Sequence, residues 1–146
     1  MIFNLQINKD CEESVTAVVH ERTPLTDEIE RLVMQENVTD RIAGYDEEGI
    51  TMLDIKQVEC FFVQSEKTYA AYSDGKRYLI KKRLYELENI LPDEFERINK
   101  SAVANRSRIS KFKVQLSGAV DAVFASGYTD YISRRCFSEL RKRYGL

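Results

Sequence analysis

The chain has 146 residues, 43% hydrophobic and 32% charged, with 24 Asp and Glu against 22 Lys and Arg. That balance suits one compact domain with a short appendage and excludes a disordered chain. With no apolar run near about 18 residues, it also excludes a membrane-spanning helix. The near-neutral sum hides a division: residues 1–50 hold 12 acids and 4 bases, net −8, whereas residues 97–146 hold 11 bases and 3 acids, net +8.

Such asymmetry predicts an anionic partner for the C-terminal part. The N-terminus MIFNLQINKD has no basic segment followed by an apolar one, so no signal peptide is expected. Cys11, Cys60 and Cys136 are odd in number and scattered, which reads as free thiols in a reducing cytoplasm.

In chain order, Phe3, Leu5 and Ile7 alternate with polar residues and predict a strand, and residues 14–21 predict a second. A helix follows. Thr23 can cap it, Pro24 suits its first position, and Leu25, Ile29, Leu32 and Val33 form one apolar stripe that ends near Asn37. Residues 1–38 are thus expected as a β-β-α appendage, too small to bury its own core and able to serve as a dimerisation or docking element.

Residues 39–146 read as mainly β. Strands are expected at 41–45, 49–53, 59–64, 68–72, 77–80, 95–98, 101–104, 113–116 and 120–124. The Asp74-Gly75 pair signals a tight hairpin. Residues 81–91 read as a helix stopped by Pro92, and Ser133 caps a short C-terminal helix. With no βαβ alternation, the fold class is mainly β, α+β overall.

Catalytic and cofactor signals are missing. His20 is the single histidine and sits in an expected strand, which disfavours zinc or non-haem iron. Neither GxGxxG nor GxxxxGK[ST] occurs, and neither GxSxG nor a Cys/His pair marks a nucleophile. No enzyme, cofactor or small-molecule substrate is expected.

The basic residues carry more information. Lys81-Lys82-Arg83 and Arg134-Arg135 stand at helix starts, where the helix dipole disfavours cations, so an external phosphate is the natural counter-charge. Arg97, Arg106 and Arg108 lie in the span FERINKSAVANRSRI. Phosphate contacts are therefore expected from Lys81, Lys82, Arg83, Arg97, Arg106 and Arg108. The few interleaved aromatics favour duplex over single-stranded nucleic acid, and no helix-turn-helix pattern is visible.

The span FERINKSAVANRSRI, with Phe95, Arg97, Asn99-Lys100, Ser101, Val103 and Asn105, resembles the signature of the LytTR DNA-binding domain. DIKQVECFFVQSEKTY resembles that family's opening strand pair and YISRRCFSELRKRY its closing Ser-Arg helix, so the likeness covers about residues 40–146. The resemblance implies a fold of three small sheets with short helices, whose loops enter successive major grooves of double-stranded DNA. It also implies base contacts at the turn Lys67–Tyr69, at Lys100, and at Arg135 with Arg134 as a one-residue alternative. Tyr69 departs from the more polar residues of some relatives. Asn105 is expected to shape a turn.

In place of a receiver domain the chain has about 38 residues, so control by another protein, sometimes a membrane protein, is implied rather than phosphorylation in cis. The expected function is that of a cytoplasmic transcriptional regulator binding paired DNA sites as a homodimer. The rival is an interaction module whose basic face docks an acidic partner protein.

Overall fold

The computed structural model describes residues 1–35 and 39–146, in two units, Met1–Glu36 and Asn37–Leu146. The first unit has one regular element, helix α1 (Pro24–Gln35). Its start is held as the sequence implies. Thr23 N–H donates to Thr26 Oγ1 (2.9 Å), Thr26 N–H donates to Thr23 Oγ1 (3.4 Å), and Arg22 pairs with Asp27 and Glu30 at 2.6 Å each.

The strands expected at 3–7 and 14–21 do not form: residues 1–23 hold none. A strand needs a neighbour's backbone, and a lone hairpin is marginal. The apolar residues have nothing to pack on, with Phe3 84%, Ile7 92% and Val18 93% exposed. The expected helix end near Asn37 and the domain boundary between 38 and 39 both touch residues outside those described.

The second unit is built of strands β1 (Arg41–Asp46), β2 (Gly49–Asp54), β3 (Val58–Gln64), β4 (Lys67–Tyr72), β5 (Arg77–Ile80), β6 (Phe95–Asn99), β7 (Ala102–Asn105), β8 (Ile109–Val114), β9 (Val120–Phe124) and β10 (Thr129–Ile132), with helices α2 (Leu84–Glu88) and α3 (Arg134–Tyr144). Seven strands form one sheet in the order β2-β1-β5-β4-β3-β7-β6, and three form another in the order β10-β9-β8.

The expected three sheets are therefore two. Hairpin β1–β2 joins the large sheet through one register pair, Tyr45 opposite Leu79. The junction depends on Gly44, where a Cβ would lie 2.7 Å from Leu53 Cδ1 and 2.8 Å from Tyr78 Cβ. Hairpin β6–β7 joins through β7, which pairs with β3.

Each face of the large sheet has its own core. On one side Val58, Phe61, Ala70 and Ile80 pack with Leu84, Leu87 and Leu91 from α2 and the segment after it. On the other, Cys60, Phe62, Ile98 and Ala102 pack with Val120, Phe124, Ile132 and Leu140 from the small sheet and α3. Strand β3 serves both by alternation, and a bulge resets its phase. Val58 pairs with Tyr72 but Cys60 with Ala71, so Glu59 is the extra residue. Bulging sends Cys60 and Phe62 to the face opposite Val58 and Phe61. Glu59, fully buried, accepts from the Ser126 hydroxyl and from Ser126 N–H (3.1 Å), tying β3 to the turn between β9 and β10.

Two expectations shift. Strand β8 runs from Ile109 to Val114 rather than 113–116, because its register is set by β9, with Ile109 opposite Phe124 and Val114 opposite Val120. Strand β10 was not expected; its four residues are too few for a clear alternation, and its pairing with β9 defines it.

The Asp74-Gly75 turn forms, with Gly75 at φ 83°, and Tyr78 hydroxyl donates to Asp74 Oδ2 (2.8 Å). That hydrogen bond, with burial, pushes the Tyr78 phenol up to about 12. Because the protonated phenol is favoured in the fold, its stabilisation is complete below about pH 10 and is lost as pH rises through about 12. Urea unfolding followed across this window should show a steeper loss of stability for the parent than for Tyr78→Phe; equal slopes would exclude this role.

Candidate nucleic-acid interface

Backbone pairing decides which basic residues share an end of the second unit. Strands β3 and β4 meet in a two-residue turn, with Gln64 opposite Lys67. Ser65 and Glu66 both occupy left-handed conformations, φ 51° and 64°, without the Asn or Gly that usually relieves such a turn. Lys67 and Tyr69 thus stand on β4 beside the turn, not in it.

Next to this hairpin, Val63 N–H donates to Ser101 O (2.9 Å), which places the β6–β7 turn with Lys100 alongside. On the other side Thr68 pairs with Ile80, so Lys81, Lys82 and Arg83 leave β5 beside Lys67. The start of α3 is fastened here too, because Ser133 N–H donates to Ile98 O (2.7 Å). Ile98 is the extra residue of a bulge between the pairs Arg97–Val103 and Asn99–Ala102.

Asn99 completes the assembly. It is 3% exposed; its Nδ2 donates to Tyr131 O (2.8 Å) and Asp130 Oδ1 (3.1 Å), and its Oδ1 accepts from Ser101 N–H (2.8 Å). One amide thus binds the Lys100 turn to the strand leading into α3. Asp130 is held in turn by the Tyr128 hydroxyl (2.8 Å). Burial, with the Cys60 thiol and Asp130 beside it, pushes the Tyr128 phenol far up, and burial pushes the Cys60 thiol well up. Both stay protonated, and the Cys60 sulfur is a packing atom rather than a nucleophile. The three cysteines are free thiols, as expected.

Lys67, Lys81, Lys82, Arg83, Lys100, Arg134 and Arg135 therefore gather at one end from four chain segments, and all are exposed. At α3, Ser133 Oγ accepts from Cys136 N–H (3.2 Å) and the first turn has no acid, so Arg134 and Arg135 add to the positive helix end. The same argument does not carry to Lys81-Lys82-Arg83. The helix there has only five residues, too short for much dipole, and Glu86 in its first turn accepts from Arg83 N–H (3.4 Å).

The remaining candidates are otherwise engaged. Tyr69 stacks on Phe62, ring centres 5.7 Å apart, with the Arg77 guanidinium 5.8 Å from its ring centre. Arg97 pairs with Glu88 and donates to Lys100 O (2.7 Å), bracing the turn. Arg106 and Arg108 follow the opposite end of β7. Arg106 pairs with Glu96 (3.2 Å) and donates to Asp93 O, and Arg108 donates to Lys56 O (2.8 Å). The structure does not bring these two together with the others.

Asn99 and Asp130 were not singled out for this clamp. A buried Asn beside a turn is indistinguishable in sequence from an exposed one, and its partners lie 31 and 32 residues away. Among the described residues no group of three His, Cys, Asp or Glu could hold a metal ion, and no helix is long and apolar enough to cross a membrane.

The family model of the LytTr DNA-binding domain matches residues 48–145. The chain belongs to the LytTR DNA-binding domain family. A solved LytTr DNA-binding domain, from a Bacillus cereus protein described as a methyl-accepting/DNA response regulator, superposes with a TM-score of 0.66 at 20% identity, covering 74% of this chain and 99% of that one. Uncharacterised HTH-type transcriptional regulators from Staphylococcus aureus strains NCTC 8325, COL and MRSA252 are each 28% identical over 100% of this chain and 99% of theirs. In this LytTR chain no two helices are consecutive among the described residues, so the helix-turn-helix of that name has no counterpart in them.

Removing the clamp should separate position from charge. Asn99→Ala leaves every basic side chain in place but strips buried partners of their bonds, and should cost about 1–3 kcal/mol of stability in urea unfolding. DNA affinity measured where the variant remains folded should also fall; unchanged affinity would show that the Lys100 turn and α3 need no common anchor.

Proposed function

We propose that this chain is a sequence-specific regulator of transcription that binds double-stranded DNA with the basic end of its LytTR domain. The observation that carries the reading is the convergence of Lys67, Lys100, Arg134 and Arg135, exposed and drawn from three separate segments, on one end of a rigid β scaffold. Lys100 and Arg135 are the base-reading pair, with Arg134 and Lys67 beside them. Long, flexible side chains on a turn and at a helix start can reach base edges, whereas the backbone around them is fixed by Asn99. Lys81, Lys82 and Arg83 neutralise phosphates along the flank.

Tyr69, Arg97, Arg106 and Arg108 have structural parts in this reading. Tyr69 supports the β3–β4 hairpin by stacking, Arg97 braces the Lys100 turn, and the other two hold the far end of β7. The protein acts in the cytoplasm and occupies paired sites as a homodimer, and a regulatory protein, membrane-bound in some settings, is a compatible controller.

Selection from random duplex DNA should enrich a defined sequence at moderate salt. On that site Lys100→Ala and Arg135→Ala should each cost roughly 1–3 kcal/mol and relax specificity. Lys82→Ala should weaken binding to all sequences alike and lower the salt slope by ~1. Arg106→Ala should lower stability and leave the slope as it is. A flat selection outcome would favour the rival, a basic face that docks an acidic protein.

A further inference from the structure

The turn between β3 and β4 projects from the basic end. Val63 stands level with Thr68 and Ile80 in the register, and its N–H donates to Ser101 O (2.9 Å). The Lys100 turn and the start of the Lys81–Arg83 segment therefore lie near that level. The β3–β4 hairpin continues past it, through the pair Gln64 and Lys67, to Ser65 and Glu66. Its tip is two residues beyond Val63, roughly 7 Å at the usual strand rise. Among the cations of this end, the most forward charge is an acid.

The residue types at the tip are poor choices for its backbone. Ser65 and Glu66 are both left-handed, where side chains other than those of Asn and Asp are disfavoured. Asn-Gly would close the same two-residue turn at less cost. Strain of this kind persists where the side chain itself is needed. Glu66 is exposed, and among the described residues none forms an ion pair or side-chain hydrogen bond with it, although Lys67 follows it in the chain. Its carboxylate is thus free to accept from outside.

We infer that Glu66 is a specificity-determining residue, which accepts a hydrogen bond from the amino group of a cytosine in the major groove. The inference rests on the DNA reading proposed above. Phosphates repel a carboxylate, so Glu66 adds nothing to general affinity, and its worth lies in discrimination. Base edges differ in what they offer it. Guanine presents only acceptors in the major groove, thymine an acceptor and a methyl group, and adenine an acceptor beside its amino group. Cytosine presents the amino donor alone, and so suits a carboxylate best. A C·G pair also carries acceptors on its guanine, which suits Lys67 as the next residue.

Selection from random duplex DNA by the full chain and three variants tests this. The parent should enrich a site with one C·G position preferred about tenfold over other pairs. Glu66→Gln should weaken that preference and favour A·T there instead, because Gln matches the amino group and N7 of adenine. Glu66→Ala keeps a side chain in the left-handed turn. It should lose the preference, yet bind duplex of random sequence about twofold more tightly at moderate salt, since one repelled charge is gone. Glu66→Gly relieves the turn and should behave as Glu66→Ala does, with no loss of stability in urea. The same site enriched equally by the parent and all three variants would overturn the inference and leave the DNA reading standing. No enrichment by the parent would overturn both. Loss of preference in the Gly variant alone would assign the effect to the backbone and also overturn the inference.

Discussion

The buried amide of Asn99 fixes the relative placement of three pieces that share one hydrophobic core. It joins the β6–β7 turn, strand β10 and, through the adjacent Ile98 carbonyl, the start of α3. The amide itself is 3% exposed, so leaving it without these bonds is costly. A basic residue on a floppy loop pays an ordering cost when it meets a ligand. Here much of that cost is met in folding, because the turn that carries Lys100 is already locked to the helix that carries Arg135.

Other parts of the interface are organised by competition between partners. Arg97 and Arg106 are both arginines in the same basic span, yet Arg97 faces the Lys100 carbonyl and Arg106 faces Glu96 and the Asp93 carbonyl. Glu96 also receives Arg143 from the end of α3 (3.3 Å), so the last turn of that helix is tied to β6 as its first is. The net positive charge of this region therefore overstates what is free to meet an anion. Part of it is consumed internally.

Much of this was legible in the chain itself. Strands with clear alternation or a Gly-containing turn emerged near their observed places, as did Ser133 as a cap and Asn105 as a turn-former. Asn105 Oδ1 accepts from Ser107 N–H (3.1 Å), and its Nδ2 also reaches Val58 O (3.0 Å). What failed had a common cause. Residues 3–7 and 14–21 have strand character, but strand character is a request for a partner, and local sequence cannot say whether one is supplied. The same holds for the basic span: residue type identified an anion-seeking region, while only the pairing of β6, β7 and β3 separates Lys100 from Arg108.

The bulge at Glu59 has a further consequence. A strand alternates sides like a two-step cycle, and one added residue shifts its phase. Before Glu59 the side chains of β3 count on one beat, and after it on the other. Deleting that residue would not merely remove a carboxylate. It would close the bulge and break the tie to Ser126, yet leave Val58 and the two phenylalanines on the sides they now occupy, because Glu59 is the one residue outside the count. Removing a counted residue of β3 instead would shift its neighbours to the opposite face, so where a length change falls in β3 decides whether the two layers keep their side chains.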